Sequence, residues 1–273
     1  MSQHSDHDEK VAAASWRNYL LRNKSVIVDL YQGQLKSTLT CLHCRTTSIK
    51  FEPFMFLSLP VDPARPTIKR SLELFTAVEQ LESNNGWYCT HCQKFRRAMK
   101  KLDLWKIPPV LIIHLKRFKY DPRRRQNRKI ERTVQYDMNM DLMPYVASQQ
   151  DGISKYNLFA MASHHGTIQK GHYTATVRNS LNHQWYTISD NEVRNANRHG
   201  VERNRDAYLL FYARESLDQD ESFPRQSITM PEHWPHSSTV TKSFKTSDDK
   251  VKYVKSQSTE RTIRSHLLQP ASR

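Results

Sequence analysis

The chain has 273 residues, with 42 Lys/Arg against 27 Asp/Glu for a net charge of +15 and a mean hydropathy of -0.76. That length suits one large domain and a polar tail, with ample chain to bury a core. No stretch approaches the roughly 20 apolar residues of a membrane span, and the polar, acidic opening Met1-Ser-Gln-His-Ser-Asp-His-Asp8 is unlike a signal peptide, so an intracellular, cytoplasmic protein is expected.

In chain order, Lys10 to Leu21 has Val11, Ala14, Trp16, Tyr19 and Leu21 at helical spacing and predicts an amphipathic helix. Ser25 to Tyr31 predicts a second, short helix, which Gly33 ends. Gln34 to Thr40 alternates like a half-buried strand, and Ser48 to Glu52 and Phe54 to Leu59 predict two more before Pro60, Pro63 and Pro66. Ser71 to Glu79 predicts a helix capped by Ser71. Strands are then expected at Lys100–Trp105, Val110–Leu115, Tyr156–Ala162, His172–Arg178, Gln184–Ile188 and Ala207–Tyr212. From 216 to 273 periodicity is lost and the sparse apolar residues predict disorder.

The four cysteines form two Cys-x-x-Cys pairs, Cys41/Cys44 and Cys89/Cys92. A two-residue gap lets both thiolates of a tight turn point at one ion, so a four-sulfur zinc site joining two hairpins is expected, with disulfides as the alternative. Four thiolates close the tetrahedron, which makes that zinc structural. His43 and His91, inside the pairs, read as surface residues.

Residues 215–273 hold nine Lys/Arg and eight Asp/Glu, so nearly all the net charge belongs to residues 1–214. It is densest from Lys116 to Arg132, including Arg123, Arg124, Arg125, Arg128 and Lys129. A solvated basic loop is the first reading of that run and a phosphate or anionic-lipid contact the second. It lacks the interleaved aromatics of a single-strand platform, so nucleic acid is not the expected partner.

Read in order, several pieces resemble the ubiquitin-specific protease family of cysteine deubiquitinases. They are Gly33-Gln-Leu-Lys-Ser-Thr38, the two Cys pairs, Phe54-Met-Phe-Leu-Ser-Leu-Pro60, Trp105-Lys-Ile-Pro-Pro-Val-Leu111, His114-Leu-Lys-Arg-Phe118, Tyr156-Asn-Leu-Phe159, Gly171-His-Tyr-Thr-Ala175 and Tyr208-Leu-Leu-Phe-Tyr212. Asn23 to Leu30 is most similar to the endosome-associated branch, which adds endosome or nucleus to the possible locations. The resemblance implies an α+β, papain-like cysteine protease fold of antiparallel strands, with zinc-ribbon fingers, a palm and most of the thumb missing. On that likeness, residues 1–24 are a polar N-terminus and remnant thumb helix, 25–214 fingers and palm, and 215–273 a tail. A thumb so reduced would leave an apolar face exposed, which predicts self-association or pairing with a partner.

The same resemblance implies cleavage of the isopeptide bond after the C-terminal glycine of ubiquitin, with ubiquitin or ubiquitinated proteins as partners. Alone, a histidine that opens a strand reads as structural; within the Gly-His-Tyr-Thr-Ala motif, His172 matches the general base, which takes a thiol proton and returns it to the leaving amine. Gly171 and Tyr173 would line the path of the ubiquitin tail. The orienting third member falls on Ser189 or Asp190, which point to opposite sides unless the strand is already turning there. His114, His164 and His165 read as structural. No Gly-Asn-Thr-Cys-Tyr box, which carries the family's nucleophile, occurs in the chain. The expectation is therefore a family member, a fragment inactive by itself, with a ubiquitin-binding scaffold as the alternative and a zinc-ribbon nucleic-acid binder as the third reading.

Overall fold

The largest sheet of the computed structural model runs, in spatial order, through Glu192–Ala196, Trp185–Ser189, Gly171–Arg178, Lys155–Gly166, Ala207–Arg214, Val110–Lys116 and Phe56–Pro60, with Asn139–Asp141 added beside Lys155–Gly166. The structure describes residues 2–121, 125–148 and 154–219. These lie in one compact unit, Met1–Phe223; a second unit, Pro224–Arg273, falls outside the described residues. Every pairing in the sheet is antiparallel except Phe56–Pro60 against Val110–Lys116. Alternate residues of the strands face the core: Leu57 and Leu59, Leu111, Ile113 and Leu115, and Leu210 and Tyr212 are buried. Each buried leucine contributes about 1.5–3 kcal/mol. The three buried tyrosines keep their hydroxyls satisfied: Tyr136 donates to Val201 O, Tyr156 to Pro108 O at 2.5 Å and Tyr212 to Asp137 O at 2.8 Å.

A second sheet of four strands, in the order Thr47–Phe54, Gly33–Cys41, Ala98–Lys106, Glu79–Leu81, makes the fingers. The hairpin Trp87–Cys89 with Lys94–Arg96 carries the second Cys pair. Where this sheet begins, a Cβ on Gly33 would stand 2.4 Å from Lys106 O and 2.6 Å from the Phe54 ring. Only a residue without a side chain lets the strands approach this closely.

The first helix runs Ser2–Asn23, eight residues earlier than the apolar spacing predicts. Its polar beginning is tied to the finger sheet by Asp8, which is 2.5 Å from Lys36 Nζ. Farther along, Gln34 Nε2 donates to Ala12 O at 3.1 Å, Ser15 Oγ donates to Phe51 O at 3.0 Å, and Ala12 packs with Phe51 and Trp105. These tertiary contacts override the weak local preference of the polar segment. The second helix is Val26–Tyr31, capped by Ser25, whose Oγ accepts from Val28 N at 3.3 Å. Leu21, Val26 and Ile27 around the junction are 84%, 66% and 48% exposed.

Other boundaries also differ. The helix expected from Ser71 is Ile68–Thr76, and its cap is Thr67, which accepts from Arg70 N at 3.0 Å; Ser71 is fully buried inside it. The buried stripe starts one turn earlier, with Ile68 ahead of Leu72, and the helix stops because Glu79–Leu81 pairs with Ala98–Lys106. Phe54 closes one strand and Phe56 opens the next, so the expected run from Phe54 to Leu59 is split at Met55. The basic run is not simply a loop. Phe118–Asp121 and Gln126–Lys129 pair as a hairpin, while Arg123 and Arg124 lie outside the described residues. Glu215–Gln219 is a short helix; the expected disorder beyond it lies outside the described residues. No described helix is long and apolar enough to cross a membrane.

Candidate active site and metal centre

Each Cys-x-x-Cys pair sits where a strand ends in a turn. Cys41 closes Gly33–Cys41 and Cys89 closes Trp87–Cys89; the residue after each second cysteine, Arg45 at φ 65° and Gln93 at φ 52°, takes the left-handed conformation that curls both sulfurs to one side. Leu42 N donates to Arg97 O at 3.0 Å and ties the first turn to the residue that follows the second hairpin. The four sulfurs lie within 4.8 Å of one another, and Cys44 Sγ is 3.5 Å from Cys89 Sγ. All four cysteines are unbridged, and 3.5 Å is far beyond the roughly 2.05 Å of a disulfide; the four sulfurs are close enough that they could hold one metal ion. Hydrogen bonds from the Thr46 side chain and backbone hold the Cys44 thiol down to about 5. Its sulfur partner Cys92 is pushed up to about 12, chiefly by the hydrogen bond with Cys44. His43 and His91 are exposed and outside the cluster.

His172 opens the strand Gly171–Arg178 with its side chain 48% exposed. Its Nε2 is 2.9 Å from Ser189 Oγ and 3.9 Å from Asp190 Oδ2. The register explains the first contact: Ala175 pairs with Ile188 and Thr176 with Thr187, so Ser189 faces the same side of the sheet as His172, Thr174 and Thr176. The second contact exists because Asp190, at φ 50°, leaves the strand in a turn that swings its carboxylate toward the same ring nitrogen. Ser189 is the close partner, and Asp190, 82% exposed, is the distant one.

Gly171 is required by what lies behind it. A Cβ there would stand 2.1 Å from His164 Nε2 and 3.0 Å from His165 O. His164 is 4% exposed; its ring centroid lies 4.8 Å from that of Tyr173 and 5.4 Å from that of Phe118, and burial lowers its pKa. His165 contacts Asp206 Oδ2 at 3.2 Å and Thr174 Oγ1 at 3.2 Å. His114 bonds Ser58 Oγ through Nδ1 at 2.8 Å and stacks edge-on against Tyr208. None of these three side chains bonds the His172 ring among the described residues. Sequence reasoning overlooked Lys129 and Asp206, which close around the turn preceding His172. The available signal was the place of Lys129 in the strand following the Arg-rich run.

The chain contains four cysteines, and all four belong to this cluster. None bonds the His172 imidazole among the described residues.

The profile of the family described as "Ubiquitin carboxyl-terminal hydrolase" matches residues 2–212. Human ubiquitin carboxyl-terminal hydrolase 2 is 37% identical over 213 residues, 76% of this chain and 34% of the relative. Saccharomyces cerevisiae ubiquitin carboxyl-terminal hydrolase 4 is 34% identical over 225 residues, 74% of this chain and 24% of the relative. Among solved structures, the SAGA Ubp8/Sgf11/Sus1/Sgf73 DUB module bound to monoubiquitin superposes with a TM-score of 0.62 at 27% identity, covering 74% of this chain and 46% of that one. The chain thus spans about a quarter to a third of the length of these two relatives. The family match over residues 2–212, with relatives up to 38% identical, places the chain in the ubiquitin carboxyl-terminal hydrolase family, that of the ubiquitin-specific proteases.

Proposed function

We propose that this chain carries the ubiquitin-cradling surface and the general base of a cysteine-type deubiquitinase, one that cleaves the isopeptide bond after the C-terminal glycine of ubiquitin. The observation that carries this reading is the contact of His172 Nε2 with Ser189 Oγ at 2.9 Å. A ring fixed through one nitrogen presents the other in a defined direction, as a base must. Ser189 orients the ring as the near partner, with Asp190 as the more distant one. Gly171 and Tyr173 border the path of the ubiquitin tail, and a structure of the family bound to monoubiquitin supports ubiquitin as the ligand. The cytoplasm is the proposed location.

The ion of the cysteine cluster is proposed to be zinc. A tetrahedron with Zn–S bonds of about 2.3 Å sets its sulfurs about 3.8 Å apart, a spacing that the Cys41, Cys44, Cys89 and Cys92 cluster accommodates with little movement. Zinc there would pin the two finger turns together and leave the reaction to the palm.

One observation favours a second reading, a ubiquitin-binding scaffold without hydrolysis: every cysteine is committed to the cluster. The two readings separate with an electrophilic ubiquitin probe and a binding titration on the full chain. Binding of ubiquitin without a covalent adduct assigns the chain the base and cradle alone; an adduct at any cysteine would show that a sulfur leaves the cluster to react. Failure to bind ubiquitin would defeat both.

A further inference from the structure

The basic hairpin is anchored directly onto the turn that presents His172. Lys129 ends the strand Gln126–Lys129, and its side chain, only 8% exposed, points inward. Its Nζ donates to His164 O, to Gly166 O at 3.3 Å, and to Asp206 Oδ1 at 3.5 Å. An ammonium has three N–H donors, and here each has an acceptor. The two carbonyls belong to the end of the strand Lys155–Gly166, where His165 pairs with His172 and Gly166 with Gly171. The lysine therefore grips the strand end immediately across from the proposed base.

The surroundings make that grip stiff. Thr167 N donates to Lys170 O at 2.8 Å and closes the turn, while Gly166 holds φ 93°. Asp206, the third acceptor, also contacts His165 Nδ1 at 3.2 Å. On the other arm of the hairpin, buried Arg117 donates through Nε to Ala207 O at 2.7 Å and through Nη1 to Ile130 O at 2.9 Å and Arg132 O at 2.8 Å. Phe118, the cross-strand partner of Lys129, lies edge-on against His164. Both roots of the hairpin are thus fixed around the end of Lys155–Gly166, the strand that pairs with that of His172: Lys129 holds its carbonyls, and Lys129 and Arg117 hold Asp206 and Ala207 on its other side.

We propose that Lys129 is a positioning residue for His172, coupling the basic hairpin to the imidazole through the His164–Gly171 turn. It touches no reacting atom; it acts by holding the carbonyls whose strand fixes where the ring begins. Burying an ammonium is costly unless hydrogen bonds compensate it, so a lysine at this place has to keep all three acceptors in register. The inference rests on the reading of His172 as the base, but its test uses no ubiquitin and stands or falls separately from ubiquitin binding.

The test is nuclear magnetic resonance on the full chain. In the parent protein the Lys129 ammonium protons are expected to exchange with water slowly enough to give a resolved signal, coupled to the turn. An ammonium signal averaged like that of a surface lysine would overturn the proposal without any variant. In Lys129→Met, amides from Gly166 to Gly171 are expected to exchange about tenfold faster and the His172 ring resonances to move. Those of Val110–Lys116 in the same sheet should stay as in the parent, a separation that a general loss of stability would not give. Lys129→Arg, which restores charge and donors, should return the His172 resonances most of the way. Unchanged turn exchange and unchanged His172 resonances in a folded Lys129→Met protein would sink the proposal; if that variant does not fold, the parent ammonium signal and Lys129→Arg decide it.

Discussion

Ser189 Oγ lies 2.9 Å from His172 Nε2 because the two strands that carry them are in register four residues farther along, where Thr176 Oγ1 meets Thr187 Oγ1 at 3.1 Å. The hydroxyl ladder fixes which side of the sheet the serine takes, and the chain turns only after it has done so. Ser189→Ala should therefore free the ring while costing less than about 0.5 kcal/mol of stability, as expected for a half-exposed contact. Side-chain relaxation of a carbon-labelled His172 measures the first effect and a urea melt the second. A ring as rigid in the variant as in the parent would mean that Asp190, 3.9 Å away, does the orienting.

Gly171 answers to His164 and not only to a passing peptide. Adding a methyl group at 171 drives it into the imidazole and toward the His165 carbonyl, a small-to-large change that costs about 1–3 kcal/mol. Truncating His164 opens the space, so Gly171→Ala should be less damaging in a His164→Ala background than in the parent. Urea midpoints of the four proteins in a double-mutant cycle measure the coupling. Additive costs would show that the backbone contact, not the ring, makes glycine necessary.

Much of this was legible in the sequence, and the reason is that its strongest signals are short and chemically specific. Two Cys-x-x-Cys pairs have few uses, and the short apolar runs Val110 to Leu115 and Tyr156 to Ala162 are what buried strands of a sheet demand. What stayed hidden depends on contacts between distant segments. The polar beginning of the first helix is held by Lys36, the cap passed from Ser71 to Thr67 because Ile68 meets the core, and Glu192–Ala196 became a strand only by pairing with Trp185–Ser189. Lys129 looked like one more charge in a basic run. Its inward course is set by hairpin register with Phe118, which no local spacing reveals. At the site, the choice between Ser189 and Asp190 needed the left-handed turn at Asp190, adopted by a residue type that tolerates it better than most.

The cysteine cluster should behave as a folding element. A single zinc ion per chain is expected by elemental analysis, and Cys44→Ser or Cys92→Ser should lose it. Because the second turn is carried by the short two-stranded hairpin Trp87–Cys89 with Lys94–Arg96, outside the larger sheets, chelation should abolish amide protection in Trp87–Arg96 well before it affects the palm strands. Binding displaces protons from thiols, so zinc should be released progressively as pH falls. Palm strands that melt together with the fingers on chelation would contradict this picture of a local clamp.

The last prediction concerns acid. His114 is packed between Phe56 and Tyr208 and bonded to Ser58, and burial lowers its pKa below the ordinary 6.5, with Lys116 adding repulsion. The unfolded chain takes up this proton more readily than the folded one, so the contribution of neutral His114 is complete above pH 6.5 and shrinks as pH falls from there through the lowered folded value. His164 has the same direction for the same main reason, reinforced by Lys129 and His165. His114→Asn keeps a polar group within reach of Ser58 but cannot take up the proton. Urea midpoints at about pH 7.5 and about pH 5.5, with zinc saturating, should show the parent losing more stability on acidification than the variant. The remaining slope of the variant should fall further when His164 is also replaced. Equal losses in parent and His114→Asn would mean that the ring is already protonated, or solvated, in the folded protein.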